Sequence, residues 1–226
     1  ERCEGHIQAS VLPQGDSIVI THTGQKAGFN PGENTVRFEF HLDQPHLWGT
    51  DHPYLYVVEV ETEYSLSGRF YRDKHLVRCG FRDFRVKNGY FYLNGKRIFL
   101  RSTHTGNHYP VGWTVPHDWE YLRRDLYFAK ACGFNTVRFI TTPAYPEQLD
   151  FCDELGLLVI ESSAASWCLE DSPQMQTRYE NAMSDLVIRD RNHPSIIMWE
   201  LLNETFDGPV FRCAHAYLPK LRKLDD

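Results

Sequence analysis

Between residues 98 and 224 a short apolar run gives way to a helically spaced segment four times in succession. The first run ends near Arg101. After a polar, aromatic loop, Trp119, Leu122, Leu126, Ala129 and Cys132 share one face of a predicted helix that Gly133 closes. Residues 135–140 form the next strand, and Pro146 opens a helix with Leu149, Cys152 and Leu155 inward and Gly156 at its end. Residues 157–161 read as a buried strand. Pro173 opens a third helix with Met175, Tyr179, Ala182 and Leu186 on one face, and Asn192-His193-Pro194 breaks it. The run 196–199 leads into Leu201-Leu202-Asn203-Glu204, and a fourth helix covers 211–224. Successive units of this kind dictate a parallel sheet with helical crossovers.

Two architectures satisfy that pattern. A doubly wound sheet would be complete at this length, but no G-x-G-x-x-G or G-x-x-x-x-G-K-[ST] follows any strand. A (β/α)8 barrel needs about 250 residues, of which about 130 are available here, so the barrel reading implies half a barrel. Residues 1–84 have a different character. Val36, Phe38, Phe40 and Leu42 alternate with polar neighbours, and Tyr56, Val58, Val60 and Thr62 do the same. Asn30-Pro31-Gly32, Asp51-His52-Pro53 and Ser67-Gly68 punctuate them, which predicts a small immunoglobulin-like β-sandwich. Asn88-Gly89 and Asn94-Gly95 mark two tight hairpin turns at the join. The expected organisation is a sandwich over 1–84 and barrel units, truncated after the fourth, over 85–226.

Composition narrows the partners. The 226 residues carry 24 Lys+Arg against 30 Asp+Glu, a formal charge of −6, which argues against nucleic acid. No stretch approaches the roughly 18 apolar residues of a membrane span. Six cysteines lack C-x-x-C or zinc-ligand spacing, and Cys132 and Cys152 are expected as buried thiols.

In a barrel the chemistry sits at the C-terminal ends of the strands. Those ends present Arg101 with His104 and Asn107-His108 beyond it, then Arg138, then Glu161, then Asn203-Glu204. Such a charged and polar rim suits a hydroxyl-rich ligand. Trp113, Trp119 and Trp167 are candidates for packing or for stacking on a sugar face.

At this point the motifs resemble those of glycoside hydrolase family 2, the group of β-galactosidases, β-glucuronidases and β-mannosidases. Leu47-Trp48 with Pro53-Tyr54-Leu55-Tyr56 resembles the family's L-W-x-x-x-x-P-x-L-Y, and Gly80-Phe81-Arg82 its G-F-R. Leu93-Asn94-Gly95-Lys96 with Leu100-Arg101, Asn135-Thr136-Val137-Arg138 and Cys152-Asp153-Glu154-Leu155-Gly156-Leu157 follow in family order. The stretch from Arg189-Asp190 through Asn192-His193-Pro194-Ser195 and Trp199 to Asn203-Glu204 resembles R-D-x-N-H-P-S-[IV]-x-x-W-x-x-x-N-E. The resemblance implies retaining hydrolysis by two carboxyl groups about 5–5.5 Å apart. It puts the acid/base on Glu204, the grip on the sugar 2-hydroxyl on Asn203, and the orientation of the nucleophile on Arg138. His104, Asn107, His108 and Glu161 are expected as further substrate contacts. The family's nucleophile, a Glu at the seventh strand, falls outside this chain.

Departures from the family bear on the substrate. The galactosidase branch reads D-E-A-N-I-E-T-H-G after the third strand, with Glu and His at a magnesium ion, where this chain has Glu161-Ser162-Ser163-Ala164-Ala165-Ser166-Trp167-Cys168. No metal and no cofactor are expected, since acid, nucleophile and water suffice. The expected partner is a glycan or glycoside, not nucleic acid or a membrane, with any homo-oligomer formed through the parent enzyme. Glu200 shares strand parity with Leu202 and Glu204 and reads as a structural ion-pair partner, and Arg138 could pair with it or with Glu161. A non-catalytic carbohydrate-binding protein on the same fold is the rival reading, and an unrelated complete α/β domain is a third.

Overall fold

A computed structural model describes residues 2–165 and 170–225, which divide into two compact units: residues 1–47 with 54–81, and residues 48–53 with 82–226. In the first unit, β1 (Cys3–Pro13), β2 (Thr21–Phe29), β3 (Tyr56–Leu66) and β4 (Arg69–Cys79) form an antiparallel sheet in the order β2-β1-β3-β4. The strand predicted over residues 56–62 lies within β3, although its positions after Tyr56 are half-buried on both faces instead of alternately. On one set of positions Glu59, Glu61 and Glu63 meet Lys74 and Arg72 of β4, with Lys74 Nζ 2.6 Å from Glu59 and Arg72 3.0 Å from Glu61. The cross-strand cations offset the like charges stacked along β3. Ala9, Val11, Leu55 and Tyr56 supply the buried apolar positions. Ser67 and Gly68 both take positive φ, +50° and +75°, as a two-residue hairpin turn requires.

The strand expected over residues 36–42 is not formed. Val36, Phe38, Phe40 and Leu42 are half-buried between exposed neighbours, so the period of two survives, but the segment joins no ladder. Alternation reports one-sided cover, whereas a strand also needs a neighbour for its N–H and C=O groups.

The second unit begins with the meander β5 (Phe84–Lys87), β6 (Tyr90–Leu93) and β7 (Lys96–Ile98). Its turns are Asn88-Gly89 and Asn94-Gly95, with φ of +51° and +78°, then +51° and +77°. Four β/α units follow: β8 (Ser102–Thr105) and α1 (Glu120–Ala131), β9 (Thr136–Phe139) and α2 (Pro146–Leu155), β10 (Leu158–Ser162) and α3 (Met175–Asp190), β11 (Ile196–Glu200) and α4 (Pro209–Leu224). The strands are parallel in the order β11-β10-β9-β8. The first of them starts at Ser102 instead of ending near Arg101. Arg101 therefore sits at the N-terminal end of β8, where its Nε donates to the Gly133 carbonyl at 2.8 Å.

The core lies between this sheet and its helices. Val137, Phe139 and Val159 pack against Leu126 of α1 and Leu149 and Cys152 of α2, all at most 2% exposed. A second cluster joins Tyr179, Met183 and Val187 of α3 to Ala214, Tyr217 and Leu221 of α4. Met183 takes the place expected for Ala182, which is exposed. Cys152 is a buried thiol as expected, while Cys132, just past α1, is exposed. No helix among the described residues is long and apolar enough to cross a membrane.

The N-terminal ends of the strands are clamped by the motif residues. Asp153 accepts His193 Nδ1 at 2.6 Å and the Ser195 N–H at 3.1 Å, and its own carbonyl accepts Trp48 Nε1 at 2.8 Å. Arg82 Nε donates to the Pro194 carbonyl at 2.8 Å. These motifs hold the barrel units in place.

Candidate active site

Side chains alternate across a strand, so register decides which residues share a face. His104 pairs with Arg138, Arg138 with Ile160, and Ser162 with Glu200. Because Val137, Phe139 and Val159 pack onto the helices, their neighbours His104, Arg138, Ser162 and Glu200 face the opposite side, the interior of a barrel.

There Arg138 makes a bidentate pair with Glu200. Its Nε donates to Oε2 at 2.8 Å and its Nη2 to Oε1, and the Ser162 hydroxyl donates to Oε2 from the neighbouring strand. Arg138 Nη2 also donates to Asn203 Oδ1 at 2.7 Å. The hydrogen bond to Glu200 foremost, and the charges of Glu200 and Glu204, raise the Arg138 pKa against the opposing effect of burial. Glu204 is thus within electrostatic reach of the guanidinium. Asn203 is buried, with its N–H on the Ala165 carbonyl at 3.1 Å and its own carbonyl accepting the Thr205 hydroxyl at 2.9 Å. Glu204 beside it is exposed and left-handed, φ +46°. Asn107 after β8 (+52°) and Thr141 after β9 (+58°) share that conformation. A left-handed non-glycine residue costs about 1–2 kcal/mol, and such strain gathers where a loop must aim a group.

The remaining predicted residues are placed differently. His104 is exposed on the Arg138 side, and His108 is exposed with Trp113 edge-on at 5.9 Å. Asn107 is buried, and its amide is used inside the fold: Nδ2 donates to Gln148 Oε1 at 3.0 Å, while Oδ1 accepts Gln148 Nε2 at 2.9 Å and the Tyr109 hydroxyl at 3.2 Å. Its expected role as a sugar contact is corrected to that of a loop clamp. Glu161 is also corrected. It pairs in register with Trp199 on the helix side of the sheet, is fully buried, and accepts the Ala144 N–H at 2.8 Å. Burial first, and Asp190 next, push its carboxyl up to about 8 despite the Ala144 bond and Arg189. Trp119 is half-exposed and edge-on to Tyr145; Trp167 and Cys168 lie outside the described residues.

Sequence reading missed Ser162 and Gln148. Ser162 was signalled by parity with Ile160, and Gln148 by its place two residues after Pro146, where a helix-capping Gln is favoured; its Oε1 accepts the Tyr145 N–H at 3.0 Å. Asp150, Asp153 and His193 are, among the described residues, a group of metal-ligand types within 4.8 Å of one another. They lie at the opposite, N-terminal end of the strands, and both Asp153 oxygens are already taken up in hydrogen bonds.

Comparison with known proteins follows the same outline. Residues 1–82 match the model of "Glycosyl hydrolases family 2", and residues 84–226 that of "Glycosyl hydrolases family 2, TIM barrel domain". The chain is 35% identical to a putative beta-glucuronidase of Formosa agariphila over 91% of its length, and 31% identical to a beta-galactosidase of Alteromonas mediterranea over 96%. It spans 24% and 21% of those two proteins. Among solved structures it resembles the beta-glucuronidase of Parabacteroides merdae, with TM-score 0.82, 22% identity, and coverage of 98% of this chain and 29% of that one. It also resembles Bacteroides uniformis beta-glucuronidase 2 covalently bound to cyclophellitol-6-carboxylate aziridine, with TM-score 0.81, 25% identity, and coverage of 99% and 28%. An immunoglobulin-like unit followed by the parallel β/α units of a TIM barrel, with these family matches along its length, places the chain in glycosyl hydrolase family 2.

Proposed function

We propose that the protein hydrolyses β-linked glycosides by double displacement, with Glu204 as acid/base, Asn203 holding the sugar 2-hydroxyl and Arg138 orienting a nucleophilic Glu from barrel units outside these residues. The observation that carries the reading is the Arg138 Nη2 bond to Asn203 Oδ1 beside the outward-turned Glu204. His104 and His108, exposed near the same strand ends, are proposed substrate contacts. Relatives named beta-glucuronidase and beta-galactosidase support a β-glycoside, and a fold neighbour captured covalently by a cyclophellitol aziridine supports a covalent intermediate.

A general acid matters in proportion to how poor the leaving group is. In the full-length enzyme, E204Q should therefore abolish turnover of alkyl β-glucuronides or β-galactosides while largely sparing glycosylation by their 2,4-dinitrophenyl counterparts. Equal losses on both substrates, or no loss on either, would remove Glu204 from the acid role.

A further inference from the structure

The polar network at the strand ends has a member that this mechanism leaves idle. Glu200 is the point where three strands meet: β11 carries it, β9 brings Arg138 to both of its oxygens, and β10 brings Ser162 to Oε2. We propose that Glu200 is the positioning residue of the site, fixing the plane of the Arg138 guanidinium and, through Nη2, the orientation of the Asn203 amide. The inference rests on the acid/base assignment of Glu204 made above.

A guanidinium is planar, carries five N–H donors and accepts nothing. Nε–H and one Nη2–H go to Glu200, and the second Nη2–H goes to Asn203. Since the arginine only donates, the Asn203 atom turned toward it has to be Oδ1, which leaves Nδ2 directed elsewhere. The amide is thus held with Oδ1 toward the arginine, and the arginine could not hold it so from a different plane. Nη1 keeps two donors without a partner among the described residues, on the edge of the guanidinium away from the Glu200 pair. Ser162 stands opposite Glu200 in the ladder, so the carboxylate is itself held. A carboxylate engaged on both oxygens by a bidentate arginine and a cross-strand hydroxyl is also a poor candidate for touching substrate directly, which separates positioning from catalysis.

Bonds to the sugar 2-hydroxyl strengthen in the transition state, so a misoriented Asn203 should cost turnover more than affinity. In the full-length enzyme acting on an alkyl β-glycoside, E200Q, which keeps the volume but turns an N–H toward Arg138, should lower kcat by about 100-fold with KM within about threefold. R138Q should lower it comparably, and R138Q/E200Q should be no worse than R138Q, because the glutamate acts through the arginine. S162A, which removes one neutral donor and leaves the fold intact, should lower kcat by about 3- to 10-fold, the equivalent of one hydrogen bond. Wild-type kcat in E200Q, multiplicative losses in the double variant, or wild-type kcat in S162A where E200Q does not fold, would each overturn the inference. E204Q assayed in parallel separates the two claims. If it turns over the alkyl glycoside normally, the acid assignment has failed; if it is inactive while E200Q is normal, only the positioning role has.

Discussion

Ser162 and Glu200 stand opposite each other in the β10–β11 ladder, and the serine hydroxyl donates to the same carboxylate oxygen that receives Arg138 Nε. One residue earlier in each strand, Glu161 stands opposite Trp199 on the other face of the sheet. A shift of a single residue therefore separates a carboxylate held by a guanidinium from one sealed among the helices. The arginine whose charge acts on Glu161 is committed elsewhere: Arg189 donates to both Asp190 oxygens, at 2.6 and 2.7 Å, and to the Ala144 carbonyl at 2.9 Å.

Glu161 should give the stability a measurable pH dependence. Its carboxyl is raised from 4.5 to about 8 by burial, so between those values the folded state holds a proton that the unfolded state has released. Stability from this group is then fully present below about pH 4.5 and declines as pH rises to about 8, with a limiting slope of about 1.4 kcal/mol per pH unit. E161Q keeps an acceptor for the Ala144 N–H and removes the charge. Urea denaturation from pH 5 to 8.5 should show the variant gaining on the wild type by about 2–4 kcal/mol across the range. A constant difference with pH would mean that Glu161 is ionised in the fold.

The same parity explains what was and was not legible in the sequence. The β/α order, the Asn-Gly hairpins and the Pro and Gly limits of α2 are local signals, and each turned up where its chemistry required it. Glu161 was misplaced because strand ends were read as a row of polar residues; counting by twos from Val159, which packs in the core, puts it toward the helices. The first barrel strand was misplaced for another reason. β8 is made of Ser, Thr, His and Thr, with no apolar residue to mark it, whereas the apolar Ile98-Phe99-Leu100 lies before it, with Phe99 79% exposed. The Asn107–Gln148 pairing joins residues 41 apart and leaves no periodic trace.

That pairing makes a prediction about the loop after β8. N107A would leave the Gln148 amide and the Tyr109 hydroxyl short of a buried partner each, at a cost of about 1–3 kcal/mol. Q148A should cost a similar amount, and the double variant clearly less than their sum, since each partner's loss strands the other. Additive losses in urea denaturation would show that the two amides act independently.

Two glycines closing helices should respond differently to alanine. Gly133 and Gly156 both take positive φ, +88° and +69°, but a Cβ at Gly133 would meet nothing within 4 Å, while at Gly156 it would lie 2.4 Å from the Thr50 carbonyl oxygen. G133A should therefore cost only the left-handed penalty, about 1–2 kcal/mol. G156A should exceed it by at least about 1 kcal/mol, because overpacking adds to the conformational strain. The obstruction is backbone, and Lys130 Nζ fixes it further by donating to both Thr50 O and Gly156 O, at 2.6 and 3.0 Å. Equal losses for the two variants would mean that the 49–50 segment moves aside without cost.

The clamp at the N-terminal ends of the strands should matter for stability alone. Asp153 is 1% exposed, and as a carboxylate it only accepts, so His193 Nδ1 carries the proton between them. D153A would strand that donor and the buried Ser195 N–H together, at a cost of about 2–5 kcal/mol. The losses fall at the end of β10 and β11 remote from Glu204, so kcat per folded full-length molecule should stay within about twofold of wild type. The neighbouring Asp150 makes the group resemble a metal site. With both Asp153 oxygens engaged by protein donors, EDTA should leave Tm unchanged. A fall in Tm with EDTA would show that an ion shares the aspartate, and a fall in kcat in D153A would show that this end of the barrel is coupled to the chemistry at the other.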